Sequence, residues 1–234
     1  MVREHLHPDN FGLWLQLVML GLTFLGILHY RWYFGARMRA REKGGKVEKT
    51  NLITLNLFSG SNTIIWFIMP FLPQPRFMGL WHVVVYGDSV SWIGLCTSIV
   101  GVGIVLFSAL WFIRVQTENL KVTKEDYTAP NELLTQGGYK KIRHPITVTG
   151  GLLVMGFCLA TGSYYTTILF PVWLVQLHIL VLIEEKYALG PRFGDAFLKY
   201  KKSIPRYVSA LSVSMFFSGL SAMIADFLFV NILY

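Results

Sequence analysis

Five stretches of the chain run without a charged residue, at 11–30, 50–75, 89–113, 146–183 and 207–225. Between them the charges crowd into short segments. An α-helix rises about 1.5 Å per residue, so roughly 20 apolar residues cross a bilayer core about 30 Å thick. Four of the stretches have the length of one such helix, and 146–183 has the length of two. The pattern predicts an all-α, polytopic integral membrane protein of about six transmembrane helices, over 12–30, 52–72, 92–113, 146–162, 165–184 and 208–230. Gly162-Ser163 is the expected turn between the fourth and fifth helices, and Pro73-Gln74-Pro75 the expected stop of the second.

Composition agrees with a lipid environment. Hydrophobic residues make up 53% and charged residues 15%, and the mean hydropathy is +0.49; soluble domains carry about 25% charge. A net charge of +8 suggests nucleic acid only until its placement is read. Nineteen of the 21 Lys and Arg residues fall within 31–49, 114–145 and 186–206. Six crossings put all three segments on one side, which the positive-inside rule makes cytoplasmic, with both termini opposite. The charge then anchors topology and attracts anionic headgroups, and nucleic acid is not an expected partner. The first ten residues hold two acids and one arginine, unlike the basic start of a signal peptide. The chain divides into an N-terminal three-helix membrane region (1–113), a region with a helical hairpin and cytoplasmic segments (114–206), and a C-terminal transmembrane helix (207–234). Any site is expected at the cytoplasmic membrane face, built from loops and helix ends.

Metal chemistry is not signalled. Cys96 and Cys158 fall in different expected spans with no CxxC, which reads as packing. The six histidines form no HExxH and no cluster with acids.

Two features carry candidate chemistry. Gly137-Gly138-Tyr139-Lys140-Lys141-Ile142-Arg143-His144-Pro145 leads into the fourth expected helix. Its glycines allow a tight turn, and Pro145 suits a first helical turn, where its missing N–H costs nothing. Free backbone donors at the helix start and the fork of Arg143 favour a carboxylate, and His144 adds a polar contact from either ring nitrogen. Glu184-Glu185 closes the fifth helix, where two acids oppose the helix dipole and are expensive unless paired. An antiparallel hairpin brings them to the depth of Arg143 and His144. His178 lies seven residues before Glu185, roughly on its face, either as a packing histidine or as a contact. After the acids come Leu189, Phe193-Gly194, Tyr200, Lys201-Lys202 and Pro205, a short amphipathic element against the hairpin.

Gly138-Tyr139, Arg143-His144-Pro145, Glu184-Glu185 and this tail resemble the C-terminal signature of the membrane-embedded isoprenylcysteine carboxyl methyltransferases and their phospholipid and small-thiol methyltransferase relatives. The resemblance covers about residues 130–206. It implies a methyltransferase with S-adenosylmethionine as cofactor, no metal, and a lipidic or hydrophobic acceptor arriving from the bilayer: a prenylcysteine-like carboxylate, a phospholipid amine or a thiol. By position it implies that Arg143, His144, Tyr139, Pro145, His178 and Tyr200 hold the cofactor. Glu185 and Glu184 are the catalytic residues it implies, near the ammonium group or the acceptor, with Glu185 taking the released proton if the acceptor is an amine. The sequence departs from the family at Thr147, Thr149 and Ile183, which stand where tyrosine, glycine and arginine are common. A helical scaffold or small transporter built around Asp226, or a sterol-reductase-like membrane enzyme, are the alternatives.

Overall fold

The computed structural model describes residues 10–42, 62–77, 80, 92–123, 132–208 and 210–233. They form an all-α assembly. Helix α1 spans Asn10–Glu42, α2 Asn62–Phe71, α3 Trp92–Thr123, α4 Pro145–Thr161 and α5 Tyr164–Glu184. A π-helical turn, Glu185–Leu189, carries α5 into α6, Gly190–Ser203. Helix α7, Ala210–Leu233, follows.

The expectation of six transmembrane helices does not hold. Among the described residues three helical segments are long and apolar enough to cross a membrane, Phe11–Ala36, Trp92–Val122 and Tyr164–Ser203. Asn62–Phe71, Pro145–Thr161 and Ser212–Ala225 are shorter apolar helices. An uncharged run shows where a helix is tolerated, whereas the backbone decides where it ends. Gly162 divides 146–183 unequally and leaves α4 only 17 residues, short of the roughly 20 that a span needs. The parity argument that put both termini on one side falls with the count. The chain is nonetheless a polytopic membrane protein. Its outward faces are apolar, with Trp14, Val18 and Leu25 on α1 and Leu106 and Leu110 on α3 exposed. Cys158 is buried as expected for a packing residue, while Cys96 faces outward. The side chain of Asp226 lies outside the described residues.

The helices run between two ends. At one, α4 stops in a left-handed turn. Gly162 has φ +62°, its N–H donates to the Leu159 carbonyl (3.3 Å), and the Ser163 N–H donates to that of Cys158 (3.1 Å), the paired pattern of a Schellman stop. A β-carbon on Gly162 would meet the Phe77 carbonyl oxygen at 2.7 Å. Arg76 is buried here and donates from Nη1 to the carbonyls of Pro70 and Thr161, both at 3.0 Å. It thereby closes the carbonyl ends of α2 and α4.

A polar seam links α1, α2 and α5 inside the apolar body. Trp66 Nε1 donates to Gln176 Oε1 (3.0 Å), Gln176 Nε2 donates to Thr23 Oγ1 (3.0 Å), and Asn62 Nδ2 donates to the Thr23 carbonyl (2.9 Å). In lipid such bonds matter because hydrocarbon offers these groups no other partner. Trp66, Met155, Phe170 and Trp173 pack around the seam as the central core. A second cluster, Ile27, Tyr33, Phe34, Ile183 and Ala188, packs α1 against the end of α5. Ile183 is one of the departures from the family pattern, and it is buried on α1 where an arginine would have no solvent.

Candidate functional site

At the other end, the C-terminal ends of α1, α3 and α5 meet the start of α4. The 3-10 turn Gly137–Lys140 is held by α3, because the Gly138 N–H donates to Glu118 Oε2 at 3.0 Å. Gly137 has φ +58°, and a β-carbon there would collide with the Glu118 carboxylate. The chain then runs into α4 through Arg143 and His144, with Pro145 as the first helical residue. The N–H groups just before the helix are met by the segment after α6. Arg143 N–H donates to the Pro205 carbonyl (2.9 Å) and His144 N–H to that of Arg206 (3.2 Å).

Glu185, 5% exposed, is the hub. Arg206 grips it as a fork, Nε to Oε1 at 3.1 Å and Nη2 to Oε2 at 2.8 Å. His144 Nε2 lies 3.1 Å from Oε1, and Lys201 Nζ 3.5 Å from Oε2. The other ring nitrogen of His144, Nδ1, lies 3.3 Å from Glu184 Oε2. Neighbouring side chains on an α-helix point about 100° apart, yet both acids reach one imidazole. The π turn that begins at Glu185 widens the helix at this point, a distortion frequent at functional sites. With a carboxylate at each ring nitrogen, His144 can donate to both only as the imidazolium. Burial alone would lower its pKa, but the bonds to Glu184 and Glu185 outweigh it and hold the pKa above the ordinary 6.5.

Arg143 is only 8% exposed. Its Nη1 lies 3.0 Å from Glu185 Oε1, a charge contact in which the N–H does not point at the oxygen. Among the described residues the Nε and Nη1 hydrogens have no well-aligned acceptor. Leaving a buried guanidinium incompletely matched is costly. Arg143 lines a cavity of about 440 Å³ together with His144, Glu184, Tyr139, Tyr200 and Phe193, closed on its far side by Phe34 of α1 and Phe112 of α3. That volume falls in the range of about 300–1,000 Å³ usual for small-molecule sites. On the cavity wall Arg143 and His144 are matched by Glu132 and Glu184, while Lys201 and Arg206 lie on Glu185. Burial, followed by the charges of Glu184, Tyr200 and Glu118, pushes the Tyr139 phenol well above its ordinary pKa and keeps it a donor. Tyr200 Oη donates to the Tyr139 carbonyl at 2.6 Å, fastening α6 over the turn.

Seven of the eight residues named from the sequence thus meet at one place: Tyr139, Arg143, His144, Pro145, Glu184, Glu185 and Tyr200. His178 stands apart. Its Nδ1 shares a hydrogen bond with Tyr207 Oη at 2.9 Å, and both residues line a neighbouring apolar chamber. Burial pushes the Tyr207 phenol up to about 12, which keeps its proton available for that bond. Sequence reasoning missed Arg206, which looked like one more anchoring charge, and Glu118. The signal for Glu118 was present, since an acid near the C-terminal end of α3 opposes the helix dipole as Glu184 and Glu185 do on α5. Among the described residues no group of three or more His, Cys, Asp or Glu side chains gathers where it could hold a metal ion.

No curated protein and no solved structure matches the chain. Residues 90–196, somewhat under half of it, match the family model of the phospholipid methyltransferases (PEMT). The matched stretch contains Tyr139, Arg143, His144, Pro145, Glu184 and Glu185, and along it this chain is similar to that family.

Proposed function

We propose that the protein is an S-adenosylmethionine-dependent methyltransferase that acts in the membrane on a lipidic acceptor. The observation that carries the reading is the buried Arg143 on the wall of a cavity of small-molecule size, in a stretch similar to the phospholipid methyltransferases. The residues present fit the cofactor. Arg143 is suited to its carboxylate by its charge and its place on the cavity wall. Glu184 is more exposed than Glu185 and meets His144 Nδ1, and it is suited to the ammonium group. Tyr139, Phe193 and Tyr200 offer aromatic surface for the adenine. When bound, the cofactor supplies a methyl group already activated on a sulfonium.

The protein's share is placement and the exclusion of water. Glu185 is committed on both oxygens to His144, Arg206 and Lys201, so it acts by holding Arg143 and His144 in position. Glu184 keeps one oxygen toward the cavity and is the candidate proton acceptor if the acceptor is an amine. The cations around the site, with Arg31 stacked 4.0 Å over the Tyr187 ring, suit the cytoplasmic face. Incubating the purified protein in nanodiscs with methyl-labelled S-adenosylmethionine and a total lipid extract tests the reading. Label in the lipid fraction is expected, and label only in unreacted cofactor would refute it.

A further inference from the structure

We infer that the outward face of α6 is a docking surface for anionic lipid headgroups, and that bilayer charge thereby holds α6 over the cavity and tightens cofactor binding. The inference rests on the methyltransferase reading and adds to it a means of regulation by the leaflet in which the site lies.

Helix α6 has two unlike faces. Phe197 and Tyr200 are buried, and Tyr200 lines the cavity together with the partly buried Phe193. The other face shows Leu198, 53% exposed, with Lys199 and Lys202, both exposed. The bond from Tyr200 Oη to the Tyr139 carbonyl also joins two basic segments, because Lys140 and Lys141 stand exposed beside Tyr139. Lys201 is engaged with Glu185, and Asp195 is the one acid in the sequence of α6. The lysines carry the charge that headgroup phosphates attract, and Leu198 adds an apolar side chain for the acyl boundary just below.

The chain fixes the depth of this face. Helix α6 follows the membrane-crossing α5 through the π turn, and a short strap after Ser203 leads into the apolar helix α7. Tethered at both ends, α6 lies at the polar layer of the bilayer, roughly 5–7 Å thick on each side. It also has a joint. The backbone breaks at Gly194 (φ +48°, ψ −123°), a positive-φ conformation that favours glycine, and a β-carbon there would meet nothing within 4 Å. The segment beyond this joint carries both Tyr200 and the lysines. Lifting it off the Gly137–Lys140 turn takes the lysines out of the headgroup layer. An anionic leaflet opposes that movement and favours the closed cavity, by up to roughly fivefold for each lysine near the surface.

Hydrogen exchange and calorimetry on the full-length protein test this in nanodiscs of phosphatidylcholine and in nanodiscs with a third of that lipid replaced by phosphatidylglycerol. Phosphatidylglycerol should slow amide exchange over 195–203 and lower the Kd for S-adenosylmethionine by roughly fivefold. Raised salt should erase both effects. A double variant, Lys199→Gln with Lys202→Gln, alters neither cavity wall nor Glu185. It should match the parent in phosphatidylcholine and show no gain from phosphatidylglycerol. Equal exchange in the two discs, or a difference that survives in the double variant, would overturn the inference. Slowed exchange with no cofactor binding in either disc would uphold the headgroup surface and refute the methyltransferase reading, and with it the coupling. Cofactor binding with the same Kd in both discs would refute the hold of the surface on the site and leave that reading standing.

Discussion

At the scale of single residues, Glu184 and Glu185 are adjacent in sequence but differ in duty. Glu185 is buried among Arg143, His144 and Arg206, so Glu185→Gln leaves cations without their counter-charge. Removing one partner of a buried pair costs about 3–5 kcal/mol. Because Arg206 and Lys201 are partly exposed, a loss near or below the lower end is expected, read as a fall in thermal unfolding temperature in detergent. Glu184→Gln should lower that temperature less than Glu185→Gln does, and lower methyl transfer by roughly 10²-fold, if Glu184 accepts a proton. Equal destabilisation by both variants would contradict this division. His144 adds a pH dependence. Its folded pKa is raised, so its stabilising contribution is complete below the unfolded value of about 6.5 and is lost as pH climbs through the higher folded value. Unfolding temperatures between about pH 6 and 9 should decline on the alkaline side for the parent. In His144→Gln that part of the decline should be absent.

At the scale of elements, the π turn and the strap after α6 build the site. Deleting Lys186 should let the π turn close as ordinary α-helix, in which neighbouring side chains point about 100° apart and Glu184 and Glu185 cannot both reach His144. Cofactor binding should be lost while the protein still inserts and remains folded, as gel filtration in detergent would show; retained binding would mean the π turn is incidental. Little of this was legible in the sequence. The Arg143-His144-Pro145 start of α4 and the acids of α5 stood out because proline placement and the cost of unpaired acids are local rules. A π turn carries no comparable signal, because its extra residue is compensated only by contacts made in three dimensions. Arg206 was hidden for a related reason, since one arginine in a basic tail resembles the next until its partner is known.

At the scale of the whole molecule, hydropathy identified an all-α membrane protein and overcounted its spans. The count failed at α4, where Gly162 ends the helix inside an uncharged run. The seam through Trp66, Gln176, Thr23 and Asn62 also escaped notice, since isolated amides in apolar runs look incidental in one dimension. The seam predicts that Gln176→Leu, which orphans the Trp66 N–H, destabilises the fold by about 1–2 kcal/mol.

The central claim is that Arg143 and its cavity hold S-adenosylmethionine, and calorimetry measures this directly. Titrating the cofactor into the parent protein in nanodiscs, with chelator present, should give saturable binding. Arg143→Ala, shown to be folded, should weaken it by roughly 10- to 100-fold, the value of about 1.5–3 kcal/mol for a hydrogen bond to a charged group. Absence of saturable binding by the parent, or equal affinity in Arg143→Ala, would contradict the account.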